Sequence, residues 1–256
     1  MDRDHIAVVK GLLAKAESTD YGPESKVFVE KAHTLMAKHG IDEAVLRTGQ
    51  AAGDQGQVGE TSLVIPSGAY QAAFLQLLDA VATANHCVMW YETRRRDFDR
   101  VDPDVVVAKA YIVGFEAERE HVELLFDSLL LQLTLALQAP ETVALRNEEA
   151  PGRRAAWNST FTMGFSGEIA QRLEAANEAA RRGAEEQHGN EVVALALRDV
   201  DTAVQKWLDE NHGHIRSASS RAGIWPQNAW EVGWAAGANA DIGQPRVPSA
   251  RRALPQ

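Results

Sequence analysis

Two stretches in the C-terminal half carry the same spacing of aromatic, glycine and acidic residues, and that spacing constrains the fold more than any other feature. One reads Trp157-x3-Phe161-x2-Gly164-x3-Glu168, the other Trp230-x3-Trp234-x2-Gly237-x3-Asp241. At about 100° per residue, offsets of 0, 4, 7 and 11 fall within about 60° of one another on a helix. Each stretch therefore reads as a helix with one face of two aromatics, a notch and a carboxylate, and Gly233 widens the second notch. A glycine inside a helix costs roughly 0.5–1 kcal/mol relative to alanine, so its presence needs a use. Close packing against a second helix backbone is the simpler use. The other is a pocket walled by Trp157, Phe161, Trp230 and Trp234, with Glu168 and Asp241 as polar anchors. Apolar walls with a few converging polar groups are the usual form of a ligand site, and paired carboxylates can hold a divalent cation.

The chain opens with a second helical signature. Ile6, Val9, Leu13 and Ala16 recur at helical spacing, and Phe28, Ala32, Leu35 and Met36 form a second apolar face. Residues 18–22 break the two, and Pro23 suits a first helical turn, where its missing N–H costs nothing. Gly40 is expected to end the second helix in a left-handed conformation, with Ile41 folding back on Leu35 or Met36. Residues 1–47 thus read as a helical hairpin whose seam also docks on the rest of the chain or on a partner, because two short helices alone bury little core.

Residues 48–59 are rich in Gly, Gln and Ala without periodicity and read as a linker. In residues 60–243, the main domain, the pattern predicts a strand in TSLVIPS from Thr61, a helix over Tyr70–Asn85, and strands over His86–Tyr91 and Val105–Val113, the latter ended by Gly114. A long helix over Phe115–Leu137 is apolar on most sides and reads as the central buried one. Pro140–Gly152 reads as a loop and Arg153–Glu186 as a helix. Glu191–Leu197 fits either a strand or a helix start, and strand is preferred. Asp199 is placed as the cap of a helix to about Asn211, and Pro226 as the opening of the last helix. Residues 244–256 form an extended tail. The expected fold class is α+β: a helical hairpin, then a small, mainly antiparallel sheet of three or four strands packed on long helices.

The chemistry-bearing residue types are sparse. Of the 256 residues, 45% are apolar and the net charge is −10, which argues against wholesale binding of nucleic-acid phosphates but not against one basic patch. The single cysteine, Cys87, cannot form an internal disulfide and reads as a core thiol suited to a reducing cytoplasm. His86 beside it, on the opposite face of a strand, cannot easily share a metal with it. Glu118 and His121 have the E-x-x-H spacing of di-iron bundles, but no second copy follows, so they read as a solvated helix start. His212 and His214 lack a third ligand, and no phosphate-binding or hydrolase motif is present. No cofactor or metal is assigned, and the catalytic residues are unknown. Arg94, Arg95, Arg96 and Arg100 crowd the second strand-to-strand connection, diluted by aspartates. They read as salt-laced surface or as a nucleic-acid contact helped by Phe98 and Tyr91 as stacking groups.

The stretches LLAKAEST (Leu12–Thr19), Pro23-Glu24 and EKAHTLMAKHGI (Glu30–Ile41) resemble a recurrent bacterial and phage module, domain-of-unknown-function family 2786, although Ser25 stands where such modules commonly carry alanine. HCVMWY, YIVGFEAE, DSLLLQLTLAL, STFTMGFSGEIAQRL and GWAAGANADIG are similar to the α+β domain that often follows it. The resemblance implies an architecture and no activity. The functional expectation is a cytoplasmic, non-membrane binding or regulatory protein, contacting nucleic acid or a protein through the hairpin and the Arg-rich loop. The alternatives are a metal- or small-ligand-binding enzyme with its pocket between the two Trp/Gly helices, and a homo-oligomeric scaffold.

Overall fold

The computed structural model describes residues 8, 12, 35–36, 38–47, 57–65, 71–92, 108–213, 215 and 227–242. Arg94, Arg95, Arg96 and Arg100, the break at residues 18–22, His214, Pro226 and the tail from residue 244 lie outside them. So does most of the linker, whose last residues belong to the first strand.

Three strands, β1 (Val58–Ile65), β2 (Val88–Glu92) and β3 (Ala108–Phe115), form an antiparallel sheet in the order β1-β3-β2. Leu63 lies opposite Ala110, Ile112 opposite both Thr61 and Met89, and Tyr91 opposite Ala110. Side chains alternate across a strand, so this register puts Leu63, Ile65, Met89, Tyr91, Ala110 and Ile112 on one face, where they join the main core. The helices of that core are α2 (Gln71–Ala84), α3 (Glu116–Gln138), α5 (Arg154–His188) and α7 (Gln227–Asn239). Val88, Trp90, Val58 and Val113 point the other way, under Val204, Trp207 and Leu208 of α6 (Asn190–His212). Both faces are therefore covered, and the α+β expectation is met. No single helix among the described residues is long and apolar enough to cross a membrane.

The glycine notches do what the simpler reading asks. α5 and α7 run against each other so closely that a methyl group on Gly164 would strike the Trp230 carbonyl. One on Gly233 would strike the Phe161 carbonyl, and one on Gly237 would lie 2.8 Å from the Phe165 carbonyl. Trp157 and Phe161 are fully buried, with ring centroids 5.6 Å apart. The two faces thus pair within one chain.

Several sequence expectations are corrected. Pro140–Gly152 is not a loop: α4 (Pro140–Glu149) begins with its proline in the first turn, a position proline favours. Glu191–Leu197 is not a strand but the start of α6. Val193, Ala196, Val200, Val204 and Leu208 are its buried residues, spaced three and four apart over a window longer than the local alternation. Asp199 accordingly lies inside the helix and caps nothing. Gly189, at φ 91°, makes the break between α5 and α6. Gly40 does not end a helix, because α1 (residues 38–47) runs through it, and Ile41 is a buried helical residue. β1 starts three residues before the expected Thr61, and β3 runs through Gly114 to Phe115. His86 and Cys87 are not in a strand; they form the tight connection from α2 to β2, with His86 at φ 54° and the Cys87 N–H donating to the Ala82 carbonyl at 2.9 Å. Cys87 is buried in the core, and burial pushes its thiol pKa up. α3 is less enclosed than expected: Leu131 and Leu135 are 54% and 59% exposed.

Helix contact at Gly233 predicts an asymmetry between glycines. Gly233→Ala should destabilise the fold by roughly 1–3 kcal/mol through overpacking. Gly183→Ala, on α5 with nothing within 4 Å of the added carbon, should stabilise by about 0.5–1 kcal/mol. Urea unfolding of both variants checks the pair; equal effects would contradict the close approach.

Candidate ligand-binding site

The region with the most unusual chemistry lies where α1 meets the main body. Arg47 is the last described residue of α1 and is 8% exposed, while Glu118, in the first turn of α3, is 5% exposed. Arg47 Nη1 donates to Glu118 Oε1 at 2.7 Å and Nη2 to Oε2 at 3.1 Å, a bidentate pair between residues 71 apart in sequence. Glu43, one helical turn earlier, adds a second carboxylate 3.1 Å from Nη2. The guanidinium carbon also sits 4.0 Å from the centroid of the Phe115 ring, a cation–π contact. Burial works against the Arg47 charge, but Glu118 and Glu43 outweigh it and raise its pKa.

One turn after Glu118, His121 is 6% exposed. Burial, with a smaller push from His39, lowers its pKa to about 4 against the opposing pull of Glu118, so the ring is neutral near pH 7. Its nitrogens have no hydrogen-bond partner among the described residues. The expectation that Glu118 and His121 are a solvated helix start is therefore overturned: β3 delivers the chain directly into α3, and α1 closes over the junction.

Glu118 and His121 lie on the wall of a cleft of about 850 Å³. The other walls come from four places. Met36, Gly40 and Ile41 stand on the α1 side, and the α2–β2 turn supplies Asn85 and His86. Glu174, Asn177, Glu178 and Arg181 come from α5, and Leu197, Arg198 and Asp201 from α6. His86 Nδ1 lies 3.1 Å from Asp201 Oδ1, and Asn177 donates to the Ala84 carbonyl, so the turn is tied to both long helices. The volume falls within the range usual for small-molecule sites.

The residues singled out from the sequence lie elsewhere. None of Trp157, Phe161, Gly164, Glu168, Trp230, Trp234, Gly237 and Asp241 lines this cleft. The glycines sit at the α5–α7 contact, with Gly237 over the Cβ of Glu168. The Trp157 indole donates to Glu149 at 3.1 Å, whereas Trp230 is 41% exposed beside Trp234. Asp241 is engaged through its backbone, its N–H donating to Gln132 Oε1 at 2.6 Å and its carbonyl accepting from Gln132 Nε2 at 3.0 Å. No group of three or more His, Cys, Asp and Glu among the described residues is arranged to hold a metal ion. Tyr91, expected as a stacking group, packs on the core. His212 is held by Glu60 at 2.9 Å, with its ring against Trp90 and Trp207.

Two outcomes follow from this geometry. Glu118→Ala leaves a buried guanidinium short of its main partner and should cost about 3–5 kcal/mol in chemical denaturation. The double variant Arg47→Met, Glu118→Leu should recover much of that loss. For His121 the sign is set by its lowered pKa. Between about pH 6.5 and 4 the unfolded chain takes up a proton that the folded chain refuses. Its contribution is therefore complete above pH 6.5 and is lost towards pH 4, on the order of 3 kcal/mol. Asp79, Glu123 and Asp127, raised by burial, act with the opposite sign in the carboxylate range. His121→Gln should flatten stability against pH between 6.5 and 4.5; an unchanged slope would contradict the assignment.

Comparison with known proteins adds one finding. Residues 7–43 match the family model described as "Protein of unknown function (DUF2786)". No curated protein and no solved structure matches the chain. The matched segment includes Met36, Gly40 and Ile41, so this module supplies one wall of the cleft.

Proposed function

We propose that the protein is a non-enzymatic binding protein that takes a small polar ligand in the cleft between the N-terminal module and the main body. The carrying observation is His121: a buried neutral imidazole with no hydrogen-bond partner among the described residues, on the wall of a cavity large enough for a small molecule. A ligand that hydrogen-bonds the ring nitrogen facing the cleft gains on the order of 0.5–1.5 kcal/mol net from that bond. Because α1 forms one wall, occupancy favours the docked state of the module, which gives the binding a regulatory consequence through mass action.

Thermal-shift measurements with a panel of amines, dicarboxylates, amino acids, nucleosides and nucleotides test this reading. A compound at a hundredfold excess over its Kd should add about 2.7 kcal/mol of stability to the wild type. That gain should shrink in His121→Ala. A panel with no shift dependent on His121 would remove the proposal.

A second reading places nucleic acid at Arg94, Arg95, Arg96 and Arg100. It is favoured by their crowding in the chain between β2 and β3. Gel-shift assays with single- and double-stranded DNA and RNA at low salt test it. Phosphate attraction is strongest there, and absence of a retarded species would eliminate this contact.

A further inference from the structure

We infer that the ligand of this cleft is an aliphatic di- or polyamine, with an ammonium N–H donated to the His121 imidazole; this rests on the cleft being the ligand site. A neutral imidazole offers one ring nitrogen as an acceptor, the complement of an ammonium donor. Glu118 stands one turn away, and each of its oxygens has a further lone pair beyond the one Arg47 uses.

Charge on the walls points the same way. Glu118 is matched by Arg47 and Glu178 by Arg181, which leaves Glu174 and Asp201 on the walls against Arg198. Arg181 is already shared between Glu178 at 3.3 Å and Glu185 at 3.6 Å, so it is not a spare site for an anion. Glu174 stands one turn before the paired Glu178 on α5 and offers its carboxylate to the cleft. Ile41 and Leu197 supply apolar surface for a methylene stem. Cationic ends on an aliphatic stem match this combination, whereas a dicarboxylate would meet an excess of like charge and a nucleotide would add phosphates to it. The overall charge of −10 raises the local concentration of cations.

Isothermal titration of the full chain at fixed ionic strength tests the assignment. The probes are butane-1,4-diamine and spermidine, with glutarate and butane-1,4-diol as the anionic and neutral counterparts. The amines should bind and the counterparts should not. His121→Ala and, independently, Glu174→Gln on the exposed side of α5 should each weaken amine binding about tenfold. Glu186→Gln, exposed on the same helix but outside the cleft, should leave it unchanged. Amine binding that is indifferent to both cleft variants, or weakened equally by Glu186→Gln, would overturn the inference as non-specific counter-ion attraction. Binding of a non-amine that depends on His121 would overturn the amine assignment while leaving the cleft as the ligand site. If no probe and no panel compound depends on His121, both readings fall together.

Discussion

The buried pair between Arg47 and Glu118 is the interaction on which the arrangement of the N-terminal part depends. A guanidinium and a carboxylate withdrawn from water are tolerated only when geometry and hydrogen bonding are good. Here the contact is bidentate, Glu43 adds a second carboxylate, and Phe115 offers its ring face. Such a pair carries orientation more than net stability. Apolar contacts of Ala44, Ile41 and Val45 with α5 and α6 provide the burial, while the fork of Arg47 fixes how α1 sits against α3. The seating of α1 decides one side of the cleft.

α5 is the second organising element. Its buried stripe, Trp157, Phe161, Phe165, Ile169 and Leu173, lies in the main core, and the glycine contacts lock α7 onto it. Towards its C-terminal end the same helix turns polar, and Glu174, Asn177, Glu178 and Arg181 look into the cleft. The Arg172 side chain donates to the Gly237 and Ala240 carbonyls and so satisfies the end of α7. One helix thus moves from core to site along its length, which lets a rigid scaffold hold the polar wall.

Much of the fold was legible because it rests on local periodicity. The 3.6-residue repeat located α2, α3, α5 and α7 within a few residues, and the glycine notches announced close packing before any partner was known. Misreadings arose where two local codes overlap. EVVALAL alternates like a strand, yet Val193 and Ala196 belong to a helical stripe completed only by Val200, Val204 and Leu208. Pro140 looks like a breaker although it opens α4. The cleft was legible only in fragments. Glu118 and His121 stood out by spacing, but a charged residue and a histidine at a helix start look solvated until something covers them.

The chain alone determined its helical seams, its one core thiol and the glycine notches on two helices, because each follows from side-chain size and spacing within a single segment. Only the tertiary structure decided that Arg47 meets Glu118 across 71 residues, that His121 is buried and neutral, and that four separate elements enclose a cavity beside it. Desolvation is a property of what packs around a group, and a linear sequence names the group without its surroundings.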